Sequence, residues 1–356
     1  MRNIILGLLL LALAYEAKSQ DINSSQFYAV PSYVNPAFTG FFTNDYFVAA
    51  GYKNQWSSVS KPFQTIGATA QLSLVKNKKP NSIVGVGVDI VHDRAGTTNF
   101  STSNFNVNVS FLQVLDVRRQ HIIGVGFQNS LAYRNFDISK ATFGNQFNGF
   151  DGFDQNINPG ENGLRTKQLN YNLGIGGLYS YSPKAHNNFY ASFSVFNVTR
   201  PNVSFYTGHE NRLYTRYTAL VGGEAAIKEN WSMLPSAIFQ LQGPNMEILF
   251  GTLARYGLMR NRREALAVSF GAYYRVNDAV VPAMKLEYKG MNITVNYDIN
   301  VSKLTKVSRF NGGGEISISY SGLFFKEHVK PVKPIFCPSV EKKKKKLLEL
   351  IFIIGV

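Results

Sequence analysis

The fold is decided by residues 169–179, Leu-Asn-Tyr-Asn-Leu-Gly-Ile-Gly-Gly-Leu-Tyr. Successive side chains of an extended chain point to opposite faces. One face of this stretch carries Leu169, Tyr171, Leu173, Ile175 and Tyr179, and the other carries Asn170, Asn172, Gly174 and Gly176. The stretch is therefore a ribbon with one apolar side and one small or polar side. A soluble sheet can show this pattern too, so its recurrence along the chain is what discriminates.

The same alternation recurs along nearly the whole chain, with aromatic residues at the ends of the apolar faces. Repetition on this scale predicts an all-β fold, a transmembrane antiparallel outer-membrane β-barrel with apolar side chains outside and polar ones inside. About 14 strands are predicted, an even number as closure of a bacterial barrel usually requires. They are Tyr46–Gln55, Phe63–Leu74, Ile83–His92, Ser103–Val114, His121–Asp137, Gln168–Ser180, Phe189–Val195, Leu213–Lys228, Trp231–Gln240, Glu247–Tyr256, Leu266–Tyr274, Val281–Tyr288, Met291–Asp298 and Gly314–Tyr320.

Composition agrees with a barrel. Hydrophobic residues make up 45% of the chain and charged residues only 17%, with 27 Phe and 19 Tyr. A helical inner-membrane protein would be far more hydrophobic, and a soluble protein is usually more charged. Beyond the N-terminal region no run of ~18 or more apolar residues occurs, so the remaining chain can cross a bilayer only as a closed barrel.

The N-terminus has the pattern of a secretory signal peptide. Arg2 is the charged end, an apolar run covers residues 4–14, and Ala17-Lys18-Ser19 is a small-x-small cleavage site,. We predict a mature start at Gln20. A retained membrane anchor is the alternative, although the apolar run is short for ~30 Å of hydrocarbon. Cys337 is the only cysteine, so no intrachain disulfide and no cysteine-based metal site is expected,.

Four regions follow from these patterns. Residues 1–19 are the signal peptide, and residues 20–44 form an N-terminal periplasmic or plug segment. Residues 45–322 form the outer-membrane barrel. Residues 323–356 form a C-terminal tail that we expect to be periplasmic and partly disordered.

The lengths of the connections predict the orientation of the barrel, because barrel strands are joined by short periplasmic turns and longer outer loops. With a periplasmic N-terminus, the long Gly- and Asn-rich stretch 138–167 lies outside. The short turns then carry much of the formal +15 charge. This basic rim could dock an acidic partner, or it could be an ordinary solvated face. Its residues are Lys76, Lys78, Lys79, Arg118, Arg119, Arg260, Arg262 and Arg263.

No set of residues in the sequence points to catalysis. The five histidines lie at predicted strand ends, in loops or in the tail, and none pairs with a nucleophile motif or an acidic metal cluster,. Gly174 and Gly176 lack the following helix that a phosphate loop needs. We therefore predict no enzymatic activity, no cofactor and no metal site. The charges expected inside the barrel are Asp89, Glu224, Arg255, Glu287, Asp298 and Glu315.

The segment before the first strand is neither strand-periodic nor helical, yet it is rich in aromatic residues. Asn35-Pro36 and Thr39-Gly40 are turn signals,. A linker would not need this aromatic density, so we predict that the segment packs inside or under the barrel and closes it. A partner-docking arm is the alternative. The candidate residues are Tyr33, Asn35, Pro36, Phe38 and Gly40.

Four features of the chain carry a family resemblance. They are the export signal, Gln26-Phe-Tyr with Tyr33-Val-Asn-Pro-Ala-Phe-Thr-Gly40, Tyr52-Lys-Asn-Gln-Trp56, and Gly312-Gly-Gly-Glu-Ile-Ser317. On these features rests a resemblance to the PorP/SprF family of outer-membrane proteins of type IX secretion and gliding motility. It implies an accessory barrel that binds secretion-machinery proteins or a large secreted adhesin, with outer-membrane lipid around it. It implies no nucleic-acid partner, no small-molecule substrate and no catalytic residues. A passive porin for small solutes is the alternative.

The sequence departs from the family pattern after Cys337-Pro338. Five lysines at 342–346 precede the apolar residues 347–356. This arrangement resembles a shifted reading frame or an added tail, and a functional anchor is the other interpretation.

Overall fold

The computed structural model describes residues 24–58, 61–76, 82–149, 152–154, 156–184, 186–259, 266–302 and 305–324. Each strand pairs antiparallel with its neighbours in sequence, and the first pairs with the last, so the sheet is a closed barrel. The fourteen strands are β1 (Tyr46–Gln55), β2 (Phe63–Lys76), β3 (Ser82–Ala95), β4 (Phe100–Val114), β5 (His121–Asn135), β6 (Lys167–Lys184), β7 (Asn187–Phe196), β8 (Arg216–Ala226), β9 (Trp231–Gln242), β10 (Asn245–Met259), β11 (Leu266–Arg275), β12 (Ala279–Tyr288), β13 (Met291–Asn300) and β14 (Asn311–Gly322).

Closure is complete along the whole of β1. Its register on β14 runs from Tyr46 opposite Gly322 to Gln55 opposite Gly313. The predicted all-β outer-membrane barrel of about 14 strands is confirmed. Short 3-10 turns at Pro31–Tyr33, Pro36–Phe38, Ile138–Lys140 and Gly144–Gln146 and one helical turn at Thr305–Ser308 complete the described structure. None of the described helical elements has the length and apolar character to cross a membrane.

Residues 169–179 lie in β6, and their side chains point to the predicted sides of the sheet. Tyr171 and Ile175 are 50% and 43% exposed on the outside, whereas Asn170 and Asn172 are buried inside. Leu178 is an exception, because it points inward and is buried. In a bilayer, the exposed apolar side chains of this face contact lipid.

Some strand ends differ from the prediction. The strand predicted as Leu213–Lys228 is Arg216–Ala226, because the Leu213 N–H donates to the Pro201 carbonyl within the preceding connection, at 3.0 Å. The strand predicted as His121–Asp137 stops at Asn135. β6 continues to Lys184, since backbone pairing extends beyond the alternating apolar pattern.

The two ends of the barrel differ in their connections. One end, called the turn end, carries the connections 77–81, 115–120, 185–186, 227–230, 260–265 and 289–290. The opposite end, called the loop end, carries the two longest connections, 136–166 and 197–215. The order of the strands therefore places these short turns at one end of the barrel and the two longest connections at the other, as predicted.

The barrel interior is not lined only by small and polar residues, and in this respect the sequence prediction was wrong. A buried apolar cluster lies inside the wall and packs against the chain that precedes β1. It excludes water inside the barrel as a soluble core does. Its wall members are Ile83, Leu112, Val114, Ile122, Leu178, Leu220, Ile238, Leu249, Leu253, Tyr273, Ala279, Val281 and Ala283.

Candidate functional site: the lumen and its N-terminal segment

Residues 24–45, called the N-terminal segment, run through the lumen from the loop end to the turn end. Ser25 bonds to Asp298, which is near the loop end of β13. Gly40 packs against Gly85, which is near the turn end of β3. Most of the segment's side chains are buried. The segment therefore fills the central part of the barrel along its length.

A carboxylate of β14 anchors the loop-end part of the segment. Glu315 accepts hydrogen bonds from the Ser25 N–H at 2.9 Å, the Gln26 N–H at 3.1 Å and the Ser24 hydroxyl at 2.7 Å. The Lys53 ammonium lies 3.3 Å from the same carboxylate. Hydrogen bonds to a charged acceptor are stronger than neutral ones. This anchor therefore holds consecutive backbone groups of the segment against the wall.

A second ion pair supports the anchor from β11 and β13. The Ser25 hydroxyl donates to Asp298 at 2.9 Å and accepts a hydrogen bond from Arg275. Arg275 and Asp298 form an ion pair at 2.9 Å. The Gln26 amide donates to the Asn296 side chain at 2.5 Å. Buried charges persist when they are paired and hydrogen-bonded, and the segment completes this set.

Asn35 fixes the middle of the segment. Its amide donates to the carbonyls of Gly177 at 2.9 Å and Phe193 at 3.2 Å, on β6 and β7. Its side-chain oxygen accepts the Ala37 N–H at 2.8 Å and caps the 3-10 turn Pro36–Phe38. One side chain thus sets both the local turn and its position on the wall. The segment was predicted to be non-helical, and these single turns, begun by proline, correct that view.

The backbone of the segment turns near β3. Gly40 has φ +72°, which favours glycine,. A Cβ there would also lie 2.5 Å from the Gly85 Cα. The Thr39 carbonyl accepts the Ser110 hydroxyl at 2.5 Å, and the Gly40 N–H donates to Gln71 at 3.3 Å. Gly40 is therefore required both by the turn and by the close approach.

Wall glycines make room for the segment. At three inward positions a Cβ would overlap atoms of the segment. The sequence predicted that inward glycines leave space for a filler or let the sheet bend, and the close approaches show which segment residues occupy that space. The pairs are Gly85 with Thr39, Gly126 with Pro36 and Ala37, and Gly176 with Asn35.

Aromatic contacts bind the segment to the wall. Phe38 meets Tyr190 edge-on at 5.4 Å between ring centroids and Phe41 at 5.9 Å. Phe27 meets Tyr273 edge-on at 5.7 Å. Such pairs add about 0.5–1.5 kcal/mol each beyond their burial.

Polar contacts to β2, β3 and β4 fix the side of the segment next to these strands. Asp89 is fully buried and accepts hydrogen bonds from Thr69 at 2.5 Å and from Asn108. Gln71 donates to the Ser32 hydroxyl at 2.9 Å. Asp89 of the wall is therefore connected to the segment through neutral side chains, among them Thr69 and Gln71.

The structure brings all five predicted candidate residues of the segment against the wall. Asn35, Pro36, Phe38 and Gly40 are buried. Tyr33 is only half-buried, and its hydroxyl donates to the Ala68 carbonyl at 3.1 Å.

The wall holds a further charged cluster away from the segment. Arg255 pairs with Glu287 at 2.8 Å and lies 3.9 Å from Glu224. Lys285 lies 2.8 Å from Glu287, and His186 lies 3.3 Å from Glu224. The six charges predicted to be inward all lie in the interior. Across the described ranges, no group of three or more His, Cys, Asp or Glu side chains could hold a metal ion.

The segment separates two cavities. The outer cavity, toward the loop end, measures about 190 Å³ and is lined by apolar side chains together with amides and cations, including Asn106, Asn172, Arg134 and Arg216. The inner cavity, toward the turn end, measures about 140 Å³. It is lined mainly by apolar side chains, among them Phe38, Phe41, Phe42, Tyr190, Leu234 and Leu253.

The two long connections form a joint cap at the loop end. The Arg165 N–H donates to the Phe205 carbonyl at 2.7 Å. The Tyr206 hydroxyl donates to Glu161 at 2.5 Å, and this hydrogen bond raises the pKa of Tyr206. The Phe147 and Phe153 rings contact each other with centroids 5.5 Å apart and planes tilted by 58°, while the two side chains remain 54% and 52% exposed. We call this surface the loop cap.

Most of the predicted basic rim lies outside the described residues, namely Lys78, Lys79, Arg260, Arg262 and Arg263. The backbone of Lys76 is described as the end of β2. Arg118 is exposed and Arg119 is half-buried in the connection between β4 and β5. These connections all belong to the turn end by strand order.

Sequence reasoning missed the contribution of Ser24, Ser25 and Arg275 to the anchor. A signal was present, because Asp298 and Glu315 were predicted as inward carboxylates on neighbouring strands. Buried carboxylates need donors. Arg255 was the only inward cation predicted, so these two carboxylates lacked assigned partners. Donors from elsewhere in the chain could have been expected.

Fold and lining define the class of the protein. A closed fourteen-stranded barrel with an apolar outer face is a multi-pass protein of the outer membrane,. The sequence model of the family described as "Type IX secretion system membrane protein PorP/SprF" matches residues 16–320. The chain belongs to this family, and the resemblance noted from the sequence is confirmed.

One solved structure supports the fold, and a second one is less similar. The crystal structure of the toluene transporter TbuX of Ralstonia pickettii is similar with a TM-score of 0.50, 10% identity, and coverage of 83% of this chain and 94% of that chain. A FadL homologue of Pseudomonas aeruginosa has a TM-score of 0.47 and 11% identity, with coverage of 81% of this chain and 92% of that chain. No curated protein sequence matches the chain. At such identities the likeness shows the fold alone.

Proposed function

We propose that this protein is an accessory component of type IX secretion that binds secretion-machinery proteins or a secreted surface adhesin and supports its export or anchoring. Family membership gives the setting. The observation that carries the binding role is the N-terminal segment, which fills the lumen and is anchored along its length. A lumen occupied by the protein's own chain suits a binding protein better than a passive solute channel.

The segment is proposed to keep the barrel closed at rest. Its path from the loop end to the turn end separates the two cavities. Deleting residues 27–40 should leave a heat-modifiable barrel but raise its conductance and its sensitivity to large antibiotics. A deleted barrel as tight as the parent would mean that the segment serves as a partner-docking arm.

The loop cap is the proposed contact surface for an external partner. Exposed aromatic residues are enriched at protein interfaces and are costly to leave in water. Phe147 and Phe153 form such a pair on a connection held in place by hydrogen bonds to its neighbour. At the opposite end, the basic rim is proposed to face the periplasm and to attract acidic partners.

Co-purification from cells that contain the secretion machinery tests this proposal. The wild-type barrel should retain secretion proteins or a large adhesin, and the double substitution Phe147→Ser and Phe153→Ser should reduce capture of the external partner. Phe193→Leu is the matched control, because Phe193 is an exposed aromatic residue on the membrane-spanning strand β7.

Planar bilayers provide the opposing test. Large, steady and non-specific conductance from the isolated wild-type barrel, together with no captured secretion protein, would favour the passive porin and refute the binding role.

A further inference from the structure

The ladder between β8 and β9 is interrupted beside the inner cavity. Gly222 pairs with Ser236 and Ala225 pairs with Met233, but the two intervening positions on each strand do not pair. Pro235 lies in this gap, and proline has no N–H to donate. On its other side, Pro235 keeps its pairing with Thr252 of β10. The gap in strand pairing is therefore confined to the boundary between β8 and β9, called the seam.

The inner cavity reaches the wall at this gap. Pro235 is exposed, its inward neighbours Leu234 and Ser236 are half-buried, and Ser232 and Ile238 of the same inward series are buried. Pro235 and Gly223 nevertheless both line the inner cavity. By alternation both residues belong to the outward series of their strands. A cavity inside the barrel therefore borders residues of the lipid-facing side.

The gap lies at hydrocarbon depth. Trp231 and Tyr256 contact each other at the turn end, with ring centroids 4.8 Å apart and planes tilted by 41°, and aromatic residues in this position mark a membrane interface,. Pro235 follows Trp231 by four residues in β9, which corresponds to ~13 Å along the strand. A tilted strand shortens this height, yet the gap remains inside the apolar belt. Lipid chains, rather than water, are the neighbours of this seam.

The cavity has the size and lining of a hydrocarbon site. Its volume of about 140 Å³ is close to the ~150 Å³ of an engineered apolar cavity that stays dry and binds benzene. Phe38, Phe41 and Phe42 of the segment form one side, and Leu234 and Leu253 form the other. An empty cavity of this kind forfeits contacts that an apolar guest would restore.

We propose that the inner cavity binds the end of a hydrocarbon chain of a bilayer lipid, which enters through the gap between β8 and β9. The bilayer is the source because the break in pairing lies beside Pro235, which lines the inner cavity and belongs to the lipid-facing series of β9. The site holds the chain against the N-terminal segment, so lipid and segment share one apolar surface. This inference is independent of the proposed secretion partner.

The barrel contains a matched control for the gap. Pro282 of β12 also coincides with a break in pairing, between Val280 opposite Ile299 and Ala283 opposite Asn296. The interior beside that break is filled, because Val281 and Ala283 are buried in the apolar cluster. A break in pairing alone does not predict lipid entry; the inner cavity borders the break at Pro235, and Pro282 is not among its described lining residues.

A photoreactive phospholipid with a diazirine at the end of one acyl chain tests the site. The full-length barrel is reconstituted with this lipid, irradiated, digested and mapped by mass spectrometry. We expect labelled peptides to include Phe41 or Phe42, which are buried inside the barrel and cannot meet lipid from outside. Labelling of outward residues only would overturn the proposal.

Substitutions test the cavity and the route separately. Leu253→Trp, or Ser236→Leu if the first variant does not fold, fills the cavity and should bring interior labelling to background. Pro235→Val restores an N–H to the seam and should lower interior labelling several-fold, whereas Pro282→Val should not change it. Interior labelling equal to wild type in Pro235→Val would refute entry through this gap.

Discussion

Removing the Asn35 side chain should loosen the N-terminal segment by a measurable amount. Asn35→Ala deletes two hydrogen bonds to the carbonyls of Gly177 and Phe193 and the cap on Ala37. Each hydrogen bond contributes about 0.5–1.5 kcal/mol net, and the cap contributes about 1 kcal/mol. The sum is about 3 kcal/mol, which raises the undocked population of the segment roughly 150-fold.

Limited proteolysis of the purified barrel with chymotrypsin measures that population. The segment contains Phe27, Tyr28, Tyr33 and Phe38, which are cleavage sites only when the segment leaves the wall. When closing is faster than cleavage, the cutting rate follows the undocked fraction. Asn35→Ala should therefore be cut in this segment about two orders of magnitude faster than wild type.

Two further variants separate the causes. Asn35→Asp keeps the oxygen that caps Ala37 but replaces the donating amide, so it should be cut at least as fast as Asn35→Ala. Thr39→Val is the matched control, because the Thr39 hydroxyl is buried in the same segment and has no hydrogen-bond partner among the residues that the structure describes. This variant should be cut at the wild-type rate. Equal cutting of Asn35→Ala and wild type would refute the role of Asn35 as the central anchor.

Three other perturbations follow from the same geometry. Glu315→Gln removes the charge that pairs with Lys53 and accepts the Ser25 N–H. The loss of a buried charge partner costs about 3–5 kcal/mol. Hydrogen exchange should therefore rise at residues 24–26, and unchanged exchange would contradict the anchor. Gly85→Val places side-chain atoms where the Thr39 carbonyl lies, so conductance should rise while heat-modifiability persists, and a tight barrel would contradict the close approach. Cysteine labelling of intact cells, on a Cys337→Ser background, should modify a cysteine at Asn148 but not one at Asn261, and the reverse result would invert the proposed orientation.

The strands were predictable because the membrane imposes a rule that sequence alone displays. Lipid favours apolar side chains at outward positions, so Tyr171 and Ile175 mark their face without knowledge of any partner,. Strand ends were less predictable, because pairing continues or stops according to neighbours. Leu213 looks like a strand residue, yet the 197–215 connection uses its N–H for a bond to Pro201.

The inward face obeys no comparable rule. Leu112 and Leu220 point inward and are almost fully buried, because the N-terminal segment and the facing wall shield them from water. Their inward position breaks the alternation that identified the strands. Likewise, Ser25 carries no pattern of its own, and only its approach to Asp298 and Arg275 gives it a role. Residues whose partners are distant in sequence stay hidden until the fold is known.

The Asn-Pro-Ala element and the wall glycines act together. A Cβ at Gly176 would overlap Asn35, and one at Gly126 would overlap Ala37. The segment can approach the wall closely enough for the Asn35 amide to reach the Gly177 carbonyl because those two wall positions carry no side chain. Glycine is unfavourable in a strand interior, since it adds backbone entropy and packs no side chain. Its placement opposite the segment therefore indicates that the barrel interior is shaped for this chain, and that the segment and the strands specify one another.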